Sequence, residues 1–359
     1  MAKAELIQVQ VACAESGPYV DEARAFLEAS DRLSTGRSEA HGFKCQLVLS
    51  CFHLRERLEA SPENPVPRFR DALPRYAAAM HAFTDLMTGT ELPFSSCDRR
   101  EDEAALTADH YGALFSEFDA FHYSEEPLSL LRPRLERNGF LTKPLEGVAL
   151  DAGCGNGRYT LALRTLGFPE AIGVDFSPLN IDVARQRCQE AGVREVEYRL
   201  GNVLDLPLPE ASCSFVLSNG VLHHTGQIFE GLCEIARVLR PGGLAYLKLM
   251  PNPGGMFWDA IELSRYVMQD VPCDFARRFL ALAGVPANRR YYLLDHLMVP
   301  INERLTASAC EALIARAGFT AFERCRRGAD IDRLEQIYQQ APFCHEKYGD
   351  GVNLYRAIR

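Results

Sequence analysis

No C-x-x-C pair occurs among the 12 scattered cysteines of this 359-residue chain. Zinc and dithiol redox motifs are thereby excluded, and a disulfide scaffold would need a much shorter chain, so the thiols read as reduced, in a cytosol. Uninterrupted apolar runs near the roughly 20 residues that span a bilayer are also missing. At the start, Glu5, Gln8 and Gln10 interrupt a stretch that could mimic a signal peptide, so the expectation is a soluble, cytoplasmic protein with no membrane partner. Basic charge is in deficit: 39 Lys plus Arg against 48 Asp plus Glu leave a net charge of −9. Such a balance offers no electrostatic footprint for a nucleic-acid backbone. Internal repeats and low-complexity tracts are absent.

Apolar residues make up 47% and charged residues 24% of the chain, ordinary for a globular protein. The length suggests two domains at a prior of about 150 residues each. From about Val148 onward, short apolar runs alternate with longer amphipathic segments, the pattern of a doubly wound, mostly parallel α/β sheet. The strands are read at Val148–Asp151, Ala171–Asp175, Glu195–Leu200, Ser214–Ser218, Leu244–Met250 and Phe319–Cys325, with an edge strand, expected antiparallel, at Val352–Ile358. Helices are read at Arg158–Leu166, Pro178–Ala191, Gln227–Leu239 and Thr306–Ala317, several bounded by the Pro-start and Gly-end asymmetry. Residues 251–305 form an insertion with helical patterns at Phe257–Met268 and Tyr291–Met298. An insertion of that length at the carboxyl end of a strand suits a lid or substrate wall.

The amino-terminal part differs. Ile7, Val9, Val11 and Cys13 alternate as a short strand would, and Tyr19–Leu33, Phe43–Leu58 and Arg68–Met87 read as helices. The apolar face of Phe43, Leu47, Val48, Cys51 and Leu54 must be buried, by packing or in a homodimer. With a polar linker at Ser95–Glu103, the expected division is a mainly helical domain at 1–104 and a sheet domain at 105–359.

Between the first strand and its helix stands D-A-G-C-G-N-G-R. Gly153, Gly155 and Gly157 meet the need for positive backbone angles and for close approach of a ligand to the backbone. The spacing is G-x-G-x-G, and Arg158 stands where the dinucleotide fingerprint needs Gly, so NAD is the weaker reading. Asp175 ends the second strand 22 residues after Gly153, where a carboxylate can accept both hydroxyls of a ribose. The loop lacks the Lys and Ser/Thr of a phosphate-binding P-loop. Together these features point to a nucleoside-containing ligand without phosphate.

Four segments, D-A-G-C-G-N-G, G-V-D-F-S-P, G-N-V-L-D-L-P-L-P with S-F-V-L-S-N-G-V-L-H-H, and E-I-A-R-V-L-R-P-G-G-L-A-Y-L, resemble in order and spacing the class I S-adenosylmethionine-dependent methyltransferases. The resemblance covers about Asp109 to Arg359. It implies that Asp151 and the three glycines, with Asn156, border the methionine part of S-adenosylmethionine, that Asp175 holds the ribose, and that Phe176 flanks the adenine. It adds Val203 and Asn219 to the cofactor-binding set. Asn202 stands where many members carry Asp, and its amide oxygen can still accept from the adenine amine. After the fourth strand the chain lacks the N-P-P-Y motif and the Pro-Cys nucleophile of nucleic-acid enzymes, and S-N-G-V-L-H-H resembles small-molecule methyltransferases.

His223 and His224 are candidates for a general base, against the plainer reading that they cap the strand end. In Asp109–Tyr123 the resemblance implies a helix over the cofactor, with Tyr111 as a cofactor and acceptor contact and His122 on the acceptor side; core packing by the same stretch is the alternative. Arg289 and Tyr292 in the insertion are further acceptor candidates, the cation suited to a carboxylate-bearing substrate. Cys344 and His345 lack further ligands at zinc spacing, so no metal is expected. The preferred reading is methyl transfer to an oxygen, nitrogen or sulfur of a small metabolite. One rival is an RNA- or protein-modifying methyltransferase, for which Arg132, Arg134 and Arg137, or Arg324, Arg326 and Arg327, could form a local patch. Another is a non-catalytic cofactor-binding scaffold.

Overall fold

A computed structural model describes residues 11–33, 38–88, 121–326 and 333–359. The chain divides into two compact units, Met1–Glu101 with Pro253–Val299 and Gln340–Asp350, and Asp102–Asn252 with Pro300–Gln339 and Gly351–Arg359.

The second unit holds a seven-stranded sheet: β1 Val148–Ala152, β2 Glu170–Asp175, β3 Val196–Leu200, β4 Cys213–Asn219, β5 Leu239–Leu249, β6 Ala321–Arg324 and β7 Asn353–Ile358. Their order is β3-β2-β1-β4-β5-β7-β6. β1 to β5 are parallel, and β7 runs antiparallel to both its neighbours. The antiparallel strand expected at the edge is therefore the penultimate one, and β6 takes the edge. Adjacent residues on one strand feed opposite cores: Leu150 and Val216 join the cluster under helices Ile228–Val238 and Ala307–Arg316, while Ala149 and Leu217 join the one under Glu126–Arg137 and Arg158–Leu166. Helices on both faces explain why the central strands read as unbroken apolar runs.

Local signals set the helix ends. Ser177 caps Pro178–Glu190 by accepting from Asn180 N at 3.3 Å, and Thr306 caps Ala307–Arg316 by accepting from Ala309 N at 3.1 Å. β5 begins at Leu239, earlier than its apolar run, because the exposed R-P-G-G segment is held laterally: Gly242 N donates to Arg359 O at 2.7 Å.

The first unit is helical, with Val20–Arg32, Ser38–Ala60, Pro65–Thr88, Gly255–Met268, Cys273–Leu282, Ala287–Met298 and Cys344–Tyr348. Most of the insertion read as a lid thus belongs with the amino-terminal helices. The reason lies in Gly255–Met268, which is buried almost all round, from Met256, Phe257 and Trp258 to Val267 and Met268. With even its polar Glu262, Ser264 and Arg265 buried, the helix needs cover on nearly every side. Buried charges stitch this unit: Lys44 donates to Asp270 at 2.6 Å, and Lys347 donates to Glu59 O at 3.0 Å at the end of Ser38–Ala60. Where a strand was expected around Val11 and Cys13, Ala12–Ala14 is a 3-10 turn. The linker at 95–103 and the strand residues before Val11 lie outside the described residues. Among the described residues no helix is long and apolar enough to cross a membrane, and none of the described cysteines forms a disulfide.

Candidate cofactor and catalytic site

The turn between β1 and helix Arg158–Leu166 folds back on β2: Gly153 N and Cys154 N both donate to Val174 O, at 2.8 and 2.9 Å. Gly153, Gly155 and Gly157 have φ of 85°, 52° and 82°, the left-handed region that side chains avoid. A Cβ on Gly153 would lie 2.4 Å from Val221 Cγ1, and one on Gly157 2.5 Å from Tyr198 Cε1. At these two positions the protein's own packing demands glycine, beyond any approach of a ligand. Two buried hydroxyls fasten the turn, Tyr123 Oη donating to Asn156 O at 3.0 Å and Tyr198 Oη to Gly157 O at 3.1 Å. Burial pushes both phenols up from their usual pKa, so they stay protonated donors.

Two buried carboxylates flank this turn. Asp151 accepts from Thr160 Oγ1 at 2.8 Å, and its burial, reinforced by the negative charge of Asp175, pushes its pKa up to about 7. Asp175 accepts from Gly155 N at 2.9 Å, Ser177 N at 3.0 Å and Asn180 Nδ2 at 3.1 Å. Burial raises its pKa too, against these three donors. A carboxylate has about four acceptor sites. Asp175 therefore has one left for a ligand hydroxyl and spends the others on shaping the turn.

Unmet polar groups lie at the same edge of the sheet. Asn156 is 1% exposed, and its Oδ1 and Nδ2, like Oδ1 of Asn219, are buried with no hydrogen-bond partner among the described residues. Such groups call for a polar ligand or water, since an unpaired buried amide costs about 1–3 kcal/mol. Asn219 ends β4, which pairs with β1 through Leu217 and Asp151. Phe176, directly after Asp175, is 43% exposed, an apolar surface large for its place. Val203 is buried, whereas Asn202 is exposed with its Oδ1 accepting from Leu204 N at 2.9 Å, which leaves one lone pair.

His223 and His224 lie in the 3-10 turn after β4, their ring centroids 4.0 Å apart. His224 Nδ1 is 2.7 Å from Ile301 O, and Glu303 N donates to His223 O at 2.9 Å. A carbonyl can only accept, so Nδ1 of His224 carries the hydrogen and the basic nitrogen of the neutral ring is Nε2. Pro300–Glu303 thus orients the pair.

Arg289 and Tyr292 belong to the first unit, where Arg289 pairs with Glu56 and Tyr292 Oη accepts from Arg55 at 2.8 Å. Arg55 is buried there between the rings of Phe52 and Phe257, at 4.7 and 4.5 Å. Both acceptor candidates are engaged in holding helices together. Tyr111 lies outside the described residues; His122 falls in the π-helical turn Phe121–Glu125. The residues that sequence reading missed are those behind the site: Thr160, Ser177, Asn180, Tyr123 and Tyr198. Of these only the S-P-L-N helix start carried a signal, through its capping serine.

A doubly wound sheet whose first turn is pinned to the acidic end of β2, with unmet polar groups beside it, resembles the fold and cofactor cradle of the class I S-adenosylmethionine-dependent methyltransferases. In agreement, residues 150–247 match the family model of a methyltransferase domain. The chain is 32% identical over 168 residues to the 27-O-demethylrifamycin SV methyltransferase of Amycolatopsis mediterranei, covering 45% of this chain and 61% of that one. It is 32% identical over 139 residues to the ubiquinone biosynthesis O-methyltransferase of Methylocella silvestris, covering 38% and 54%. With the demethylmenaquinone methyltransferase of Lactococcus lactis it shares 29% identity over 182 residues, 50% of this chain and 68% of that one. The chain thus spans less than two thirds of the first two relatives' own lengths.

Proposed function

We propose that the protein transfers the methyl group of S-adenosylmethionine to a small-molecule acceptor, most simply through an oxygen. The observation that carries this reading is the buried pair Asp151 and Asp175 set around the glycine turn, beside the unmet amides of Asn156 and Asn219. These residues suit the cofactor's parts: the carboxylate of Asp151 and the amide of Asn156 its zwitterionic methionine end, the remaining acceptor site of Asp175 a ribose hydroxyl, and Phe176 the adenine face. When bound, the cofactor supplies a methyl carbon made electrophilic by its sulfonium. The chain's own work is alignment, exclusion of water and removal of one proton.

Transfer breaks the carbon–sulfur bond, forms a carbon–oxygen bond and releases the acceptor's proton. Nε2 of His224, its tautomer set by Ile301 O, is the group we assign to take that proton. The names of two relatives specify transfer at oxygen, which supports an oxygen acceptor over nitrogen or sulfur. That none of the described cysteines forms a disulfide suits a cytoplasmic setting.

The test is methyl transfer from labelled S-adenosylmethionine to a panel of phenols, alcohols and carboxylic acids. His224→Ala should lower kcat by about 10²–10⁴ for an acceptor that must lose a proton, with the dissociation constant for S-adenosylhomocysteine unchanged. Equal kcat in the variant across pH 6–9 would remove the histidine from the mechanism, and calorimetry showing no S-adenosylhomocysteine binding would overturn the whole reading.

A further inference from the structure

Two groups of arginines remained outside the methyl-transfer reading, one around Arg132–Arg137 and one around Arg324–Arg327. The fold brings a member of each together. Arg137, at the end of helix Glu126–Arg137, and Arg326, just after β6, line one groove of about 500 Å³, joined there by Arg356 of β7. Asn138 holds the two sides in place, its Oδ1 accepting from Arg326 N at 3.1 Å while its Nδ2 donates to Arg134 O at 2.9 Å.

Three guanidinium groups in the groove lining face the carboxylate of Glu323, with Glu335 beside Arg137, so basic groups outnumber acidic ones there in a chain whose net charge is −9. Glu323 is loosely held, 4.0 Å from Arg356 and itself 69% exposed, and Glu335 lies 3.8 Å from Arg137. The guanidinium of Arg326 makes no ion pair among the described residues, and Nε of Arg356 is buried with no hydrogen-bond partner among them. A surface that only needed solubility would gain nothing from converging three like charges, which repel one another unless an anion lies between them. In the sheet, β7 stands three strands and β6 four strands from β1, which separates them from the strand bearing the glycine turn by about 14–19 Å across the sheet at about 4.8 Å per strand.

We propose that this groove is a second ligand site, for a small dianion of phosphate or dicarboxylate chemistry. The volume lies in the range of small-molecule sites, roughly 300–1,000 Å³, and guanidinium forks match the paired oxygens of both groups. The acidity of the remaining chain favours a small anion over a nucleic-acid strand.

The experiment titrates the full chain with inorganic phosphate and, in a parallel arm, with malonate, by calorimetry at low and physiological salt. One saturable site is expected, weakened by salt. Arg326→Ala and Arg356→Gln should each weaken it about tenfold, the scale of one lost charge-assisted contact. Affinity for S-adenosylhomocysteine should stay unchanged in both. The arm that binds more tightly identifies the ligand as phosphate or carboxylate. Arg326 is exposed after the strand, so Arg326→Ala retains the test if the β7 variant fails to fold. The proposal is overturned if neither anion saturates the protein, if binding ignores both substitutions, or if transfer RNA binds through these arginines and neither small anion does.

Discussion

Replacing Asp151 by Asn should stabilise the cofactor-free protein, and do so only as the pH rises. Asp151 is 3% exposed, and burial with the nearby charge of Asp175 lifts its pKa from 3.8 to about 7. Between those two values the folded state holds a proton that the unfolded state has lost, so stability falls as pH increases across the window and levels off above it. About three pH units at about 1.4 kcal/mol each set a ceiling near 4 kcal/mol. Asn keeps the Thr160 hydrogen bond through its own oxygen and never ionises. The variant should match the native chain near pH 4 and exceed it by up to about 4 kcal/mol at pH 8.5. Urea unfolding followed by a probe in the sheet unit, at half-unit steps of pH, measures the difference. A difference that stays constant with pH, or a native chain more stable than the variant at pH 8.5, would refute the argument. The same substitution should weaken cofactor binding, because the ionised carboxylate that costs stability is the group suited to the cofactor's positive charge.

Asp175→Ala should weaken S-adenosylhomocysteine binding by one to two powers of ten, since it removes a ligand acceptor and frees the Gly155 and Ser177 amides that fix the turn; an unchanged dissociation constant in calorimetry would take Asp175 out of the site. Gly157→Ala combines a positive φ with a Cβ 2.5 Å from the Tyr198 ring and should cost at least about 1–2 kcal/mol. Part of that loss should return in the Tyr198→Ala background, and strict additivity in a double-mutant cycle would disprove the clash. Deleting residues 1–100 strips the cover from Gly255–Met268 and should yield aggregates by light scattering; a soluble, active monomer would contradict that packing.

The second unit was legible because its signals are local. The periodic apolar runs located all seven strands to within a few residues, apart from β5, whose first half is held by main-chain pairing with the carboxyl terminus and carries no apolar signature. The glycines of the turn were visible, but half of their reason was not. That a Cβ at 153 or 157 would strike Val221 or Tyr198 depends on residues 68 and 41 positions away. Asp175 shows the same limit from the other side: its place at the end of β2 announced a ligand carboxylate, while its debts to Gly155, Ser177 and Asn180 appear only when the chain is folded.

The division into units was the least legible, because it rests on long-range burial of charge. Lys44, Arg55 and Lys347 are charged, yet each is buried, and their partners Asp270, Tyr292 and Glu59 lie more than 200 residues away in sequence. A pattern reading assigns charge to the surface, so it had no ground for joining the insertion to the amino-terminal helices. Gly255–Met268 shows the difficulty directly, since its polar Glu262, Ser264 and Arg265 are buried along with its apolar residues. A lid helix on an open sheet would keep one side wet, and this helix is buried throughout except at Gly255, Asp259 and Tyr266, which are half-buried. The arginine groove is the converse case, where charges that sequence order separated by nearly 190 residues converge on one surface. In both instances it is the distance between partners along the chain, and not the strength of the interaction, that hid the contact from a sequence reading.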